Sequence, residues 1–208
     1  MTESKPLKYS ANFISVVFHP LLLPTYAFLF LNYTYPYLLF NLDVISKTRL
    51  FVTIFINTFL FPLIALVIMR KLDFISSFHM HERQERIIPY IAISFFYFWS
   101  YLVVKNLGIG SIINNIMFGA SISVFMVFFF NGFFKISAHA AAAGAFFGLT
   151  LFLSFNSVYN LELPVMLVIL IAGLIGSSRL YLSAHTPFEI FSGFLVGILG
   201  QILSFKYF

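Results

Sequence analysis

LPVMLVILIAGLIGSSRLYLSAHTPFEIFSGFLVGILGQILSF, residues 163–205, decides the fold. Two apolar runs, 163–182 and 187–205, flank one polar knot, Ser178 to Glu189. At 1.5 Å per residue, each run is long enough as a helix to cross the roughly 30 Å of hydrocarbon in a bilayer. The knot holds Arg179, His185 and Glu189 in a chain with only 9% charged residues. Burying a charged side chain in hydrocarbon costs about 2.5–3.5 kcal/mol or more, so ionisable residues beside a span point to function by default.

Working outward, the same kind of run recurs at 13–32, 48–69, 87–105, 111–131 and 138–156, which makes about seven spans. The chain is 61% hydrophobic and has 30 Phe, against about 45–50% apolar residues in soluble domains. The expected fold is all-α: a polytopic transmembrane helix bundle of about six or seven spans, forming a single integral membrane domain over 1–208. The runs are continuously apolar without period-2 alternation, which excludes a closed barrel. His19, Pro20 and Pro24 interrupt the first run, and no small-residue cleavage site follows it, so it does not read as a cleavable signal. Residues 1–11 read as a polar tail and 33–47 as a Tyr/Pro-rich interfacial loop. An integral multi-pass protein of the cell (inner) membrane is expected.

The chain has no cysteine, so no disulfide framework marks its compartment. Its net charge of +5 comes from span ends, where Lys and Arg serve topology and anionic headgroups. No basic patch with interleaved aromatics lies outside the spans, so the expected partner is the lipid bilayer and not nucleic acid. Composition does not set the oligomeric state.

Two further polar knots match the first: Arg83-Gln84-Glu85-Arg86 and Lys135-Ile136-Ser137-Ala138-His139. The three follow spans two, four and six and therefore face the side that holds the N-terminus. That parity predicts one composite site. Outside the knots, Lys5, Lys8, Arg70 and Lys71 balance Lys47, Arg49, Lys105 and Lys206, so charge bias does not orient the bundle.

Each knot has a local and a chemical reading. Ser137 is a natural N-cap, which places His139 on the first helical turn, where unpaired N–H groups and the helix dipole favour an anion. Lys135 adds a full charge. The local reading is a capped helix with an interfacial Lys and His. Thr186-Pro187-Phe188-Glu189 fits a capping box, and Glu189, four residues beyond His185, can also orient that imidazole. Capping leaves His185 and Arg179 unexplained. Arg83 and Arg86 either pair with Glu82 and Glu85 or offer guanidinium forks, which suit phosphate oxygens. A metal centre would need three or four clustered ligands, and a serine nucleophile would need an elbow such as G-x-S-x-G; the sequence has neither. Two histidines among cations suit phosphoryl transfer, one attacking and one protonating the leaving oxygen. Gly144-x-x-x-Gly148 and Gly193-x-x-x-Gly197 lie just beyond the two histidines and predict close packing of their spans.

These residues resemble the phosphatidic acid phosphatase type 2 superfamily. Its third motif, Ser-Arg, five residues, His, three residues, Asp, is similar to Ser178-Arg179, His185 and Glu189, with Glu standing for Asp. Its second, Pro-Ser-Gly-His, resembles Ile136-Ser137-Ala138-His139. Its first, Lys, six residues, Arg-Pro, is degenerate here, with His79 in the Lys position, Arg86 matched and Pro89 two residues late. The resemblance covers a phosphatase-like core over 79–200. It implies hydrolysis of a phosphomonoester or pyrophosphate on a membrane lipid, independent of metal or other cofactor, through a phosphohistidine intermediate. By the same resemblance His185 is the nucleophile, Glu189 its orienting carboxylate and His139 the general acid and then base. Arg179 with Ser178, Ser137 and Arg86 would hold phosphoryl oxygens; Lys135 and Arg83 are added from position. Phosphatidic acid, phosphatidylglycerophosphate, polyprenyl pyrophosphate and lipid A phosphates are the candidate substrates. The rival expectation is a non-hydrolytic lipid-phosphate-binding or transport protein, for which Asn57, Asn114 and Asn115 are the only intramembrane amides considered.

Overall fold

The computed structural model describes residues 5–78, 80, 82–109, 111–156 and 162–207; His79 of the degenerate first motif lies outside them. The fold is 84% helix with no strand among the described residues, and seven helical stretches are long and apolar enough to cross a membrane. The chain is an integral multi-pass membrane protein.

The first stretch, Lys5–Thr34, is two helices, α1 (Lys5–Val17) and α2 (Leu23–Thr34), separated at His19 by a 3-10 turn over Pro20–Leu22. Pro20 has no N–H to continue the ladder, and His19 is extended at φ −63°, ψ 133°. The expected polar tail is thus mostly helix, because Ala11 and Ser15, one turn apart, are buried where α1 packs on α8 (Glu162–Tyr181). The expected interfacial loop is also corrected. It contains a 3-10 turn, Pro36–Leu39, and Tyr35 and Leu39 are buried in the core with Leu31, Leu50 and Val104.

The second stretch, Val44–Lys71, joins α3 (Val44–Phe55) to α4 (Phe61–Lys71) through a π turn over Ile56–Leu60. Pro62 cannot donate to the Thr58 carbonyl, and the turn before it widens. Within that turn the Asn57 amide donates to the Thr53 carbonyl at 2.8 Å. The remaining helices are α5 (Ile87–Asn106), α6 (Ser111–Asn131), α7 (Ala138–Asn156), α8, and α9 (Pro187–Tyr207).

The packing of α7 on α9 organises the bundle. A methyl group added at Gly144 would collide with the Phe194 carbonyl, and one at Gly197 with the Ala141 carbonyl. Helix axes come this close only where no Cβ intervenes. Both small-x-x-x-small pairs therefore face the partner helix, as the sequence predicts.

Candidate active site

The N-terminal ends of α7 and α9 meet at one end of the bundle. Ser137 caps α7, its Oγ accepting from the Ala140 N–H at 3.3 Å. The Ser137 N–H donates to the Glu189 carbonyl at 3.2 Å. That bond ties the turn before α7 to the first turn of α9 and brings His139 and His185 to the same site. The expectation of spatial convergence between the second and third knots holds in the geometry.

The turn before α9 is built by its own side chains. The Glu189 N–H donates to Thr186 Oγ1 at 3.3 Å, and Glu189 Oε2 accepts from the Thr186 N–H at 3.4 Å, completing a capping box. The same Oε2 lies 2.7 Å from His185 Nδ1. A carboxylate oxygen accepts, so the proton sits on Nδ1 and the Nε2 lone pair is left available. Both local readings of Glu189 are realised at once. On the other side of the turn, Ser183 ends α8 with a left-handed φ of 50°. That conformation costs a non-glycine residue about 1 kcal/mol, and it turns the chain from Arg179 towards His185.

His185 is buried, 9% exposed. Burial, followed by the charges of Arg86, Arg179 and Lys135, lowers its imidazole from 6.5 to about 3. Its contact with Glu189 is therefore a hydrogen bond from a neutral ring. Lys135 lies half-buried before α7; burial lowers its ammonium first, then Arg86, while Glu189 opposes the shift.

The first knot reaches the same place by one of its two arginines. Arg86, 7% exposed, donates from Nε to the Met80 carbonyl at 2.9 Å and from Nη1 to the Ile136 carbonyl at 3.3 Å. Met80 takes φ 43°, which points its carbonyl at that guanidinium. Arg83 is exposed and donates to the Gly132 carbonyl at 2.9 Å, while its own carbonyl accepts from Asn131 Nδ2 at 3.1 Å. It braces the link between α6 and α7 at the rim. The two arginines do not share a face. Each binds a different carbonyl of that link.

Arg179 is the half-buried cation of α8. Its Nη1 donates to Ser15 Oγ at 3.2 Å, and its buried Nε has no hydrogen-bond partner among the described residues. Ser178 Oγ donates to the Ile175 carbonyl at 2.7 Å and lies 3.4 Å from Ser15 Oγ. His139 Nε2 lies 3.1 Å from the Ser15 carbonyl. Sequence reasoning missed Ser15 and used His19 only to argue against a cleaved signal. The His19 ring packs edge-on against His139 at 5.6 Å, and its Nδ1 accepts from the Leu21 N–H at 3.3 Å. The visible signal was a histidine followed by proline inside an apolar run.

A family model described as the PAP2 superfamily matches residues 57–208, well over half of the chain. Searches of the curated proteins and of the solved structures found no match.

Proposed function

The chain belongs to the PAP2 superfamily, and we propose that it hydrolyses a phosphomonoester or pyrophosphate on a membrane lipid through a phosphohistidine on His185. Family membership suggests phosphatase activity on lipid-like substrates. The observation that carries the finer reading is the buried His185 imidazole, with Nδ1 held by Glu189 at 2.7 Å and the charges of Arg86, Arg179 and Lys135 acting on it.

The chemistry follows from that arrangement. The His185 Nε2 lone pair attacks phosphorus in line while the bond to the leaving oxygen breaks. His139 gives that oxygen a proton. His139 then takes a proton from water, whose oxygen attacks the phosphohistidine; the P–N bond breaks, its electrons return to Nε2 and inorganic phosphate leaves. Glu189 keeps the Nδ1 proton throughout, stabilising the charge that forms on the ring. Arg179, with its open Nε, the capped N-terminus at Ser137, Arg86 and Lys135 supply cations and donors for the phosphoryl oxygens, while Ser178, its hydroxyl committed to the Ile175 carbonyl, supports Arg179 from the neighbouring position. With fixed guanidinium groups in that role, the reading is metal-independent. Glu189 reaches His185 directly, so Glu serves in the position where the family motif has Asp.

The lipid part of the reading has its own support. A cavity of about 70 Å³ lies between α2, α5, α6 and α7, lined by Pro20, Tyr90, Tyr97, Val127, Ala138 and Ala145 among others. Its lining runs from Ala138 to Ala145 on α7 and from Val127 to Ala120 on α6, two helical turns or about 10 Å. Pro20 and Ala138 adjoin His19 and His139 in the chain, which sets this apolar cavity beside the histidine end of α7. The core over 79–200 supplies the reacting groups within a single domain, 1–208.

The test is phosphate release by purified protein from a panel of lipid phosphates and pyrophosphates, with and without EDTA. Release should persist in EDTA and drop at least about 100-fold in His185→Ala and in His139→Ala. Tight lipid binding with no phosphate released by the unaltered chain would instead mark a non-hydrolytic binding protein.

A further inference from the structure

The family match begins at residue 57, yet three of the candidate site's residues, Arg179, His139 and Ser178, have a hydrogen-bond partner at residue 15. Ser15 belongs to α1, which joins the rest of the bundle through the break at His19. It is the only polar side chain that α1 buries, at 8% exposure. A hydroxyl buried without a hydrogen bond costs about 1–3 kcal/mol by mutational measures. Here it is fully used: Arg179 Nη1 donates to it at 3.2 Å, and Ser178 Oγ lies 3.4 Å away. The main-chain carbonyl of the same residue faces His139 Nε2 at 3.1 Å.

We propose that Ser15 is a positioning residue of the phosphoryl pocket, acting through Arg179 and His139. This rests on the phosphatase reading above and extends the site to a helix outside the matched region. The hydroxyl fixes one amino group of the Arg179 fork, so that the unpartnered Nε is presented to a phosphoryl oxygen. The carbonyl can only accept, so it holds a proton on His139 Nε2 and leaves Nδ1 as the nitrogen that carries the proton given to the leaving oxygen and takes the one from water. The substrate's oxygens meet a guanidinium and an imidazole whose orientations α1 has set. Lys5 to Val17 is therefore part of the enzyme's working structure.

The side-chain half of this arrangement can be removed and restored without touching a group assigned to the substrate. Orthovanadate, a phosphate mimic, is titrated into the full-length protein by calorimetry, and phosphate release from a short-chain lipid phosphate is measured on the same preparations. Ser15→Ala is expected to weaken vanadate binding and raise KM about fivefold while kcat changes less than twofold. Ser15→Thr, which keeps the hydroxyl, is expected to restore both. Ser15→Ala with unchanged vanadate affinity and KM overturns the proposal. So does a Ser15→Thr variant as impaired as Ser15→Ala, because the hydroxyl is then not what matters. If the unaltered protein neither binds vanadate nor releases phosphate, the phosphatase reading itself falls, and the Ser15 proposal falls with it.

Discussion

Two helix contacts deliver the site, and they are built differently. At the seam of α7 and α9, glycine lets backbone meet backbone: Gly144 lies against the Phe194 carbonyl and Gly197 against the Ala141 carbonyl. At the contact of α1 and α8, a hydroxyl and a guanidinium meet instead, Ser15 with Arg179. Half of the apolar stretch of α7 is buried, against 17% of that of α8, and α1 buries only Ala11 and Ser15. The two histidines stand at the end of the rigid seam, and the arginine stands on the loosely packed helix. Close packing holds the groups proposed to transfer phosphoryl and proton, while hydrogen bonds adjust a group proposed only to meet charge.

The contrast predicts the largest effect at the seam. Gly197→Leu forces a side chain into the Ala141 carbonyl and the Ala145 N–H. The backbones have to separate, at a cost of about 3 kcal/mol or more, with loss of phosphate release. Ala11→Leu, the corresponding insertion on α1, should cost only about 1 kcal/mol, because α1 can shift off α8. Thermal melting in detergent measures both. Equal losses at the two positions would remove the distinction drawn here.

Next in size is the carboxylate at the end of the seam. Glu189→Asp withdraws the carboxylate from His185 Nδ1 by one methylene, from its present 2.7 Å. Misplacement of about 1 Å can cost about 100-fold, so kcat should fall about 10- to 100-fold with KM little changed. A variant as fast as the parent would show that the carboxylate does not set the ring.

The smallest expected effect is on the pH profile. Burial and the surrounding cations lower His185 to about 3, and an imidazole is neutral above its pKa. The proposed nucleophile is thus expected to stay unprotonated from neutral pH down to about 4, and kcat/KM of the free enzyme should show no acid limb near the ordinary histidine value. Linkage has the opposite consequence for folding. The unfolded chain takes up this proton near 6.5 and the folded chain only near 3, so stability falls as pH drops through that window. An acid limb near 6.5 in kcat/KM would show that burial and the cations do not act on this ring.

Much of the site was legible because its signals are local. Ser137, Thr186 and Glu189 lie within four residues of the histidine each one serves, and capping is a property of a single turn. The glycine pairs were legible for the same reason, since a spacing of four fixes one helix face. Ser15 was not legible. One serine in an amphipathic helix has no local signature, and its partners lie 163 and 164 residues away. His19 was visible but unplaced, because a break in an apolar run does not say which imidazole it will face. Arg83 and Arg86 looked alike in sequence. Their fates differ because one reaches Ile136 in the interior and the other Gly132 at the rim.

By itself the sequence determined the solvent and the inventory. Apolar length and period require helices in a bilayer, and the cost of placing charge there confines Arg179, His185 and Lys135 to the ends of spans. Only the tertiary structure decided which ends meet and which groups remain free to react. Glu189 fixes one nitrogen of His185, α1 closes on Arg179 from across the bundle, and the first helix is two pieces. Such choices depend on shape and hydrogen-bond geometry between segments far apart in the chain, and a one-dimensional pattern carries no term for them.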